Sequence, residues 1–105
     1  LLPPAGCSSN YYKYIAHIED WVDRTALKQT MREEFGIGLS GEVYERPVHL
    51  QPYFEKEYGE GMLPIAERIC AQHICLPVFQ GLGPDDCQQV VESLVAALEM
   101  QHVAV

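Results

Sequence analysis

"LPIAERICAQHICLPVFQGLGPDDCQQVVESLVAAL", residues 63–98, decides how this chain folds. Pro64 suits the first turn of a short helix in which Ile65, Ala66, Ile69 and Cys70 recur at helical spacing and point inward. "ICLPVF" then reads as a short apolar strand. Pro77 cannot donate a ladder hydrogen bond, so that strand belongs at an edge or turns this position away from its neighbour. Gly83 as cap, Pro84 at the first helical position and Asp85 and Asp86 near the positive end of the dipole open a second helix. Its apolar positions Cys87, Val90, Val91, Leu94, Val95 and Leu98 form one continuous stripe, which must lie flat on something apolar.

Working outward, "YYKYIAHIED" (11–20) is aromatic and β-branched, with Tyr12, Tyr14, Ala16 and Ile18 on one face of a strand. Asp23 caps the helix "RTALKQTMREEF" (24–35), whose Leu27, Met31 and Phe35 repeat every four residues, and Gly36 ends it in a left-handed conformation. "FEKEYGEGM" (54–62) reads as an exposed, glycine-punctuated connection, and "GEVY" (41–44) as a brief strand. Strand, helix, irregular loop, helix, strand, helix predicts an α+β fold: a two-layer sandwich of a small, mostly antiparallel sheet with helices on one face.

Length and charge narrow the function. A chain of 105 residues makes one domain, small for an enzyme that holds a cofactor in a deep cleft. Seven lysines and arginines against fifteen acids leave a net charge of −8, which repels nucleic acid and anionic membranes. No apolar run approaches the roughly 18 residues that span a bilayer. The opening "LLPPAGCSS" lacks the basic region and apolar core of a signal peptide, and it also lacks an initiator methionine. A cytoplasmic chain whose first ten residues are linker, cut from something upstream, is the expectation. Cys7, Cys70, Cys75 and Cys87 lack the density of a disulfide framework and read as free, mostly buried thiols.

Several chemistries can be weighed on spacing. Cys70, His73 and Cys75 crowd together, but no second ligand pair accompanies them, so a metal site is not expected. Cys70 and His73 share a helix face, yet Cys70 continues the apolar stripe as a buried, inert thiol would. Glu42 and Glu45 could form a carboxylate pair, but loop carboxylates are usually solvated. "GIGLSG" (36–41) follows a helix and not a strand, the wrong context for a phosphate loop. His17 and His102 need no functional account, His102 lying in a fraying tail. His49 differs: Pro47 and Pro52 stiffen the backbone around it, so the loop presents Tyr44, His49 and Gln51 as a shaped surface.

"GIGLSGEVYERPVHLQPYF" (36–54) resembles a stretch in the small C-terminal domain of the DegT/DnrJ/EryC1/StrS family of pyridoxal-phosphate sugar aminotransferases. Gly36, Ile37, Tyr44, Pro47, His49, Gln51 and Pro52 carry the likeness. The preceding helix and the closing helix, strand and helix agree in order and spacing, so the similarity covers roughly residues 11–98. Val43, Tyr44 and Glu45 stand where many members carry His-Tyr-Pro, and the role of that histidine does not carry over.

The resemblance implies a fold-type I aminotransferase C-terminal domain over residues 11–102. It also implies transfer of an amino group, from glutamate, to a nucleotide-linked keto sugar. Its partners would be the large cofactor-binding domain of the same protein, the nucleotide-sugar substrate and a second copy, as homodimer or self-associate. The Schiff-base lysine and the phosphate-binding groups would lie in that large domain. None of Lys13, Lys28 or Lys56 stands in a matching context, so this chain alone is expected to be inactive and to bind no pyridoxal phosphate. Tyr44, His49 and Gln51, with Glu42 and Arg46 behind them, are the expected cleft or domain-interface residues. The competing reading is a stand-alone α+β binding or regulatory module.

Overall fold

The computed structural model describes residues 2–59 and 61–104. Leu1 of the linker reading and Glu60 of the glycine-punctuated segment lie outside the described residues. In chain order the elements are β1 (Tyr14–His17), α1 (Arg24–Phe35), a 3-10 turn (Val48–Leu50), α2 (Pro52–Tyr58), α3 (Pro64–Ala71), β2 (His73–Leu76) and α4 (Pro84–Ala104).

β1 and β2 pair antiparallel, with Tyr14 opposite Leu76 and His17 opposite His73. Alternation along the strands puts Ala16, Ile74 and Leu76 on one face. There they pack with Leu27 and Met31 of α1, Ala97 of α4 and Leu39, the buried core of the domain. The α+β sandwich expected from the sequence is the fold observed: α1 and α4 cover one face of a small antiparallel sheet.

Each helix end has a visible cause. The Ala26 amide donates to Oδ1 of Asp23 at 3.0 Å, satisfying one of the free donors of the first turn of α1. Gly36 ends the helix at φ 67°, ψ 20°, and its amide donates to the Arg32 carbonyl. Only a residue without Cβ adopts that left-handed geometry without strain.

The structure corrects several expectations. β1 begins only at Tyr14, and Tyr12 and Tyr14 are exposed. The ladder stops because β2 ends at Leu76 and Pro77, which follows, has no N–H to extend it. In place of a strand at 41–44 there is one bridge, Ser40 to Cys75, on the free edge of β2. The chain leaves the sheet there because the Val43 amide donates to a side chain, His73 Nε2, and not to a neighbouring strand.

The segment read as a connection holds α2. Pro52 at its first position fixes φ for helix entry, the Glu55 amide donates to the Gln51 carbonyl, and Gly59 ends it. In α3, Ala66 and Cys70 are partly covered, but Ile65 and Ile69 are exposed, as are Val91 and Val95 on α4. These apolar stripes are wider than the elements that cover them. Of the four thiols expected to be mostly buried, Cys75 is buried and Cys7 and Cys87 are exposed. Finally, His102 lies in α4 and not in a tail without contacts: the Asp23 amide donates to Gln101 Oε1, Gln101 Nε2 donates back to the Asp23 carbonyl, and His102 packs edge-on to Trp21.

Candidate functional site

The loop between α1 and the 3-10 turn is anchored residue by residue. The Ser40 amide donates to the Cys75 carbonyl at 3.1 Å, and Lys13 Nζ donates to the Gly41 carbonyl at 2.7 Å. Glu42 accepts from Lys28 Nζ at 2.9 Å with Arg24 at 3.5 Å, and the Val43 amide meets His73 Nε2 at 3.1 Å. After four consecutive anchors, Tyr44, Glu45 and Arg46 are exposed. Beyond them Gln51 Nε2 donates to the Arg46 carbonyl at 2.9 Å and closes the turn around Pro47. An anchored base therefore presents three exposed side chains.

His49 turns into the molecule from the 3-10 turn. Its Nε2 lies 2.8 Å from Oε1 of Glu67, in the first turn of α3, and its side chain is mostly buried. With Tyr44 it lines a cleft of about 500 Å³ whose other walls are Val48, Phe54, Tyr58, Leu63, Ala66 and Cys70. The cleft is mostly apolar, with the His49 imidazole and the hydroxyls of Tyr44 and Tyr58 as its few hydrogen-bonding groups, the composition of a site that holds a partly apolar ligand in one orientation.

The electrostatics follow from the contacts. The hydrogen bond from His49, helped by the Leu63 backbone and the charge of His49, holds the Glu67 carboxyl below the ordinary glutamate value against the opposing effect of desolvation. Burial pushes the Glu42 carboxyl up. The hydrogen bond from Lys28, its own backbone amide and the charges of Lys28 and Arg24 outweigh that and bring it below the ordinary value.

Of the five residues singled out from sequence, the structure brings Tyr44 and His49 to one cleft. Gln51 braces the loop from behind, and Arg46 stands exposed at its apex. Glu42 does not join them, because the cations of α1 draw it into a separate polar recess with Arg24, Lys28 and Arg32. Glu67 was missed: as one acid in an amphipathic helix it carries no signal until the fold sets it beside His49. The aromatic wall of Phe54 and Tyr58 was missed with α2 itself.

The Cys70–His73 pair has no catalytic geometry. Both imidazole nitrogens of His73 are engaged by backbone, Nδ1 at 2.8 Å from the Ile69 carbonyl and Nε2 by Val43. Among the described residues no three His, Cys, Asp or Glu side chains converge as metal ligands. No helix there is long and apolar enough to cross a membrane.

A fold and cleft of this kind on a motif with the Pro-x-His-x-Gln-Pro spacing define a class. The chain belongs to the DegT/DnrJ/EryC1/StrS aminotransferase family, whose model matches residues 3–95. It is 27% identical over 89 residues to the spore coat polysaccharide biosynthesis protein SpsC of Bacillus subtilis, covering 80% of this chain and 22% of SpsC. It is 42% identical over 73 residues to a pleiotropic regulatory protein of Geobacillus stearothermophilus, covering 68% of this chain and 19% of that protein. The crystal structure of the aminotransferase TlmJ from Streptoalloteichus hindustanus superposes with a TM-score of 0.75 at 31% identity, over 92% of this chain and 24% of TlmJ. The chain thus spans about a quarter or less of the length of these relatives.

Proposed function

We propose that this chain is the small C-terminal domain of a pyridoxal-phosphate-dependent aminotransferase, with residues 11–102 as the domain and 1–10 as linker. The intact enzyme transfers an amino group from glutamate to a nucleotide-linked keto sugar. It works in the cytoplasm as a homodimer, and this chain by itself is inactive. The observation that carries the reading is the His49–Glu67 pair, set beside Tyr44 in an apolar cleft of a domain that matches an aminotransferase over nearly its whole length.

The residues present do not fit pyridoxal phosphate as a site of its own. Among the described residues no lysine lines the cleft; Lys13 is spent on the Gly41 carbonyl and Lys28 on Glu42. That supports placing the cofactor in the large domain, and no chemical step is assigned to this chain.

Its contribution is to bind and orient. His49, held by Glu67, offers one directed polar contact at the wall of the cleft, and the Tyr44 hydroxyl offers a second at its rim. Phe54 and Tyr58, stacked with ring centroids 6.3 Å apart, give an exposed aromatic surface for an apolar part of the ligand or the facing domain. Gln51 and Glu42 act behind the loop, fixing the backbone from which Tyr44 projects, and Arg46 at the apex offers a cation to the substrate or the facing domain.

The test is His49→Ala in the full-length enzyme. Loss of one positioned hydrogen bond should lower kcat/KM by about tenfold or more, with the circular dichroism spectrum unchanged. Unaltered kinetics would remove His49 from the site.

A further inference from the structure

The proposed function makes no use of His73, yet this imidazole is nearly fully buried at 3% exposure and both its nitrogens are committed. Its tautomer follows from the partners alone. A backbone N–H can only donate, so the Val43 amide requires a lone pair on Nε2. A carbonyl can only accept, so Ile69 O requires the proton on Nδ1. The ring is thus a neutral two-ended clamp between the last turn of α3 and the peptide that immediately precedes Tyr44.

We infer that His73 is a positioning residue for Tyr44. Val43 is the last anchored residue before the exposed run 44–46, so its hydrogen bond sets where that run departs. The other end of the ring grips α3, whose Ala66 and Cys70 line the same cleft that Tyr44 borders. The backbone of His73 is itself held: Arg24 donates from one guanidinium nitrogen to the carbonyls of Cys70 (2.6 Å) and His73 (3.1 Å), tying the α3–β2 turn to α1. His73 therefore ties the rim of the cleft at Tyr44 to its wall on α3, as His49 and Glu67 tie the 3-10 turn to the same helix. The consequence for turnover rests on the proposed function, but the clamp does not.

Two substitutions separate the two ends of the ring. An asparagine amide occupies the place of Nδ1, so His73→Asn keeps a donor for Ile69 and loses the acceptor for Val43. Glutamine reaches the place of Nε2, so His73→Gln keeps the acceptor for Val43 and loses the donor for Ile69. Each loses one buried hydrogen bond, and a merely structural role would penalise both alike. The readout is hydrogen–deuterium exchange at the Val43 amide, resolved by fragmentation mass spectrometry in the intact protein.

H73N should speed that exchange at least tenfold, and H73Q should hold it within a few-fold of the parent. Equal acceleration in both, or a parent Val43 amide exchanging as fast as that of Tyr44, would overturn the assignment. Should either variant fail to fold, nitrogen-15 spectra of the unaltered protein decide: the proton on Nδ1 supports the clamp and the proton on Nε2 overturns it. In the full-length enzyme H73N should raise KM for the nucleotide-linked sugar more than H73Q does. Exchange as expected with unmoved kinetics upholds the clamp and counts against the cleft reading of Tyr44 instead.

Discussion

Nε2 of His49 lies 2.8 Å from Oε1 of Glu67, joining the 3-10 turn before α2 to the first turn of α3. Two residues 18 positions apart thus share one proton donor and one acceptor at the wall of an apolar cleft. The pair has a pH signature. Glu67 is held below the ordinary glutamate value of 4.5, chiefly by His49, so the stabilisation it contributes is complete above that value and is lost as pH falls through the lower folded value. Following the Glu67 carboxyl carbon by NMR during acidification should show its midpoint below 4.5, and His49→Ala should move the midpoint upward. A midpoint indifferent to His49 would show that the contact does not persist in solution.

Glu42 carries a second acid-sensitive contact, of a different kind. Its carboxylate is largely covered and held by Lys28 and Arg24, so Glu42→Gln should destabilise the domain by about 1–2 kcal/mol at neutral pH, the scale of a charge-assisted hydrogen bond between partly exposed partners. Because the folded carboxyl sits below the ordinary value, the difference between parent and variant should be full above pH 4.5 and shrink as pH falls below it. Urea denaturation at neutral pH and at progressively lower pH measures both.

Gly36→Ala tests the end of α1. A methyl group there would touch nothing within 4 Å, so the cost comes from the left-handed backbone alone, about 1–2 kcal/mol. Gly36→Asn should cost less, since asparagine tolerates that conformation. Thermal unfolding of the two variants should rank them in that order.

Leu27→Ala probes the core. Leu27 is completely buried among Met31, Ile74 and Ala97, and a cavity there should cost about 2–5 kcal/mol. In a domain of this size that is a large share of total stability. The midpoint of chemical denaturation reads it directly, and a change below 1 kcal/mol would mean that the site collapses around the smaller side chain.

Much of this protein was legible in its sequence because the signals are local. Asp23 and Gly36 bracket α1 by capping chemistry that depends only on neighbouring residues, and the helix runs between them as expected. The strand read over 74–79 is shorter than expected: it starts at His73 and ends at Leu76, because Pro77 has no N–H to carry the ladder further. The Pro-x-His-x-Gln-Pro spacing pointed to the loop that borders the cleft, since proline stiffens whatever lies beside it. α2 escaped notice because all seven of its residues are exposed and its one aromatic pair at helical spacing, Phe54 and Tyr58, spans a single turn, too short to announce a helix.

Tertiary structure alone decided what each polar side chain does. Glu42 looked like a loop carboxylate until α1 brought Lys28 and Arg24 against it, and Cys70 and His73 looked like a spaced pair until the backbone claimed both imidazole nitrogens. Glu67 became the partner of His49 only when α3 folded back under the 3-10 turn. Caps, turns and periodicity arise from forces between near neighbours in the chain. A hydrogen bond between residues 18 or 30 positions apart exists only once packing has fixed the distance between them.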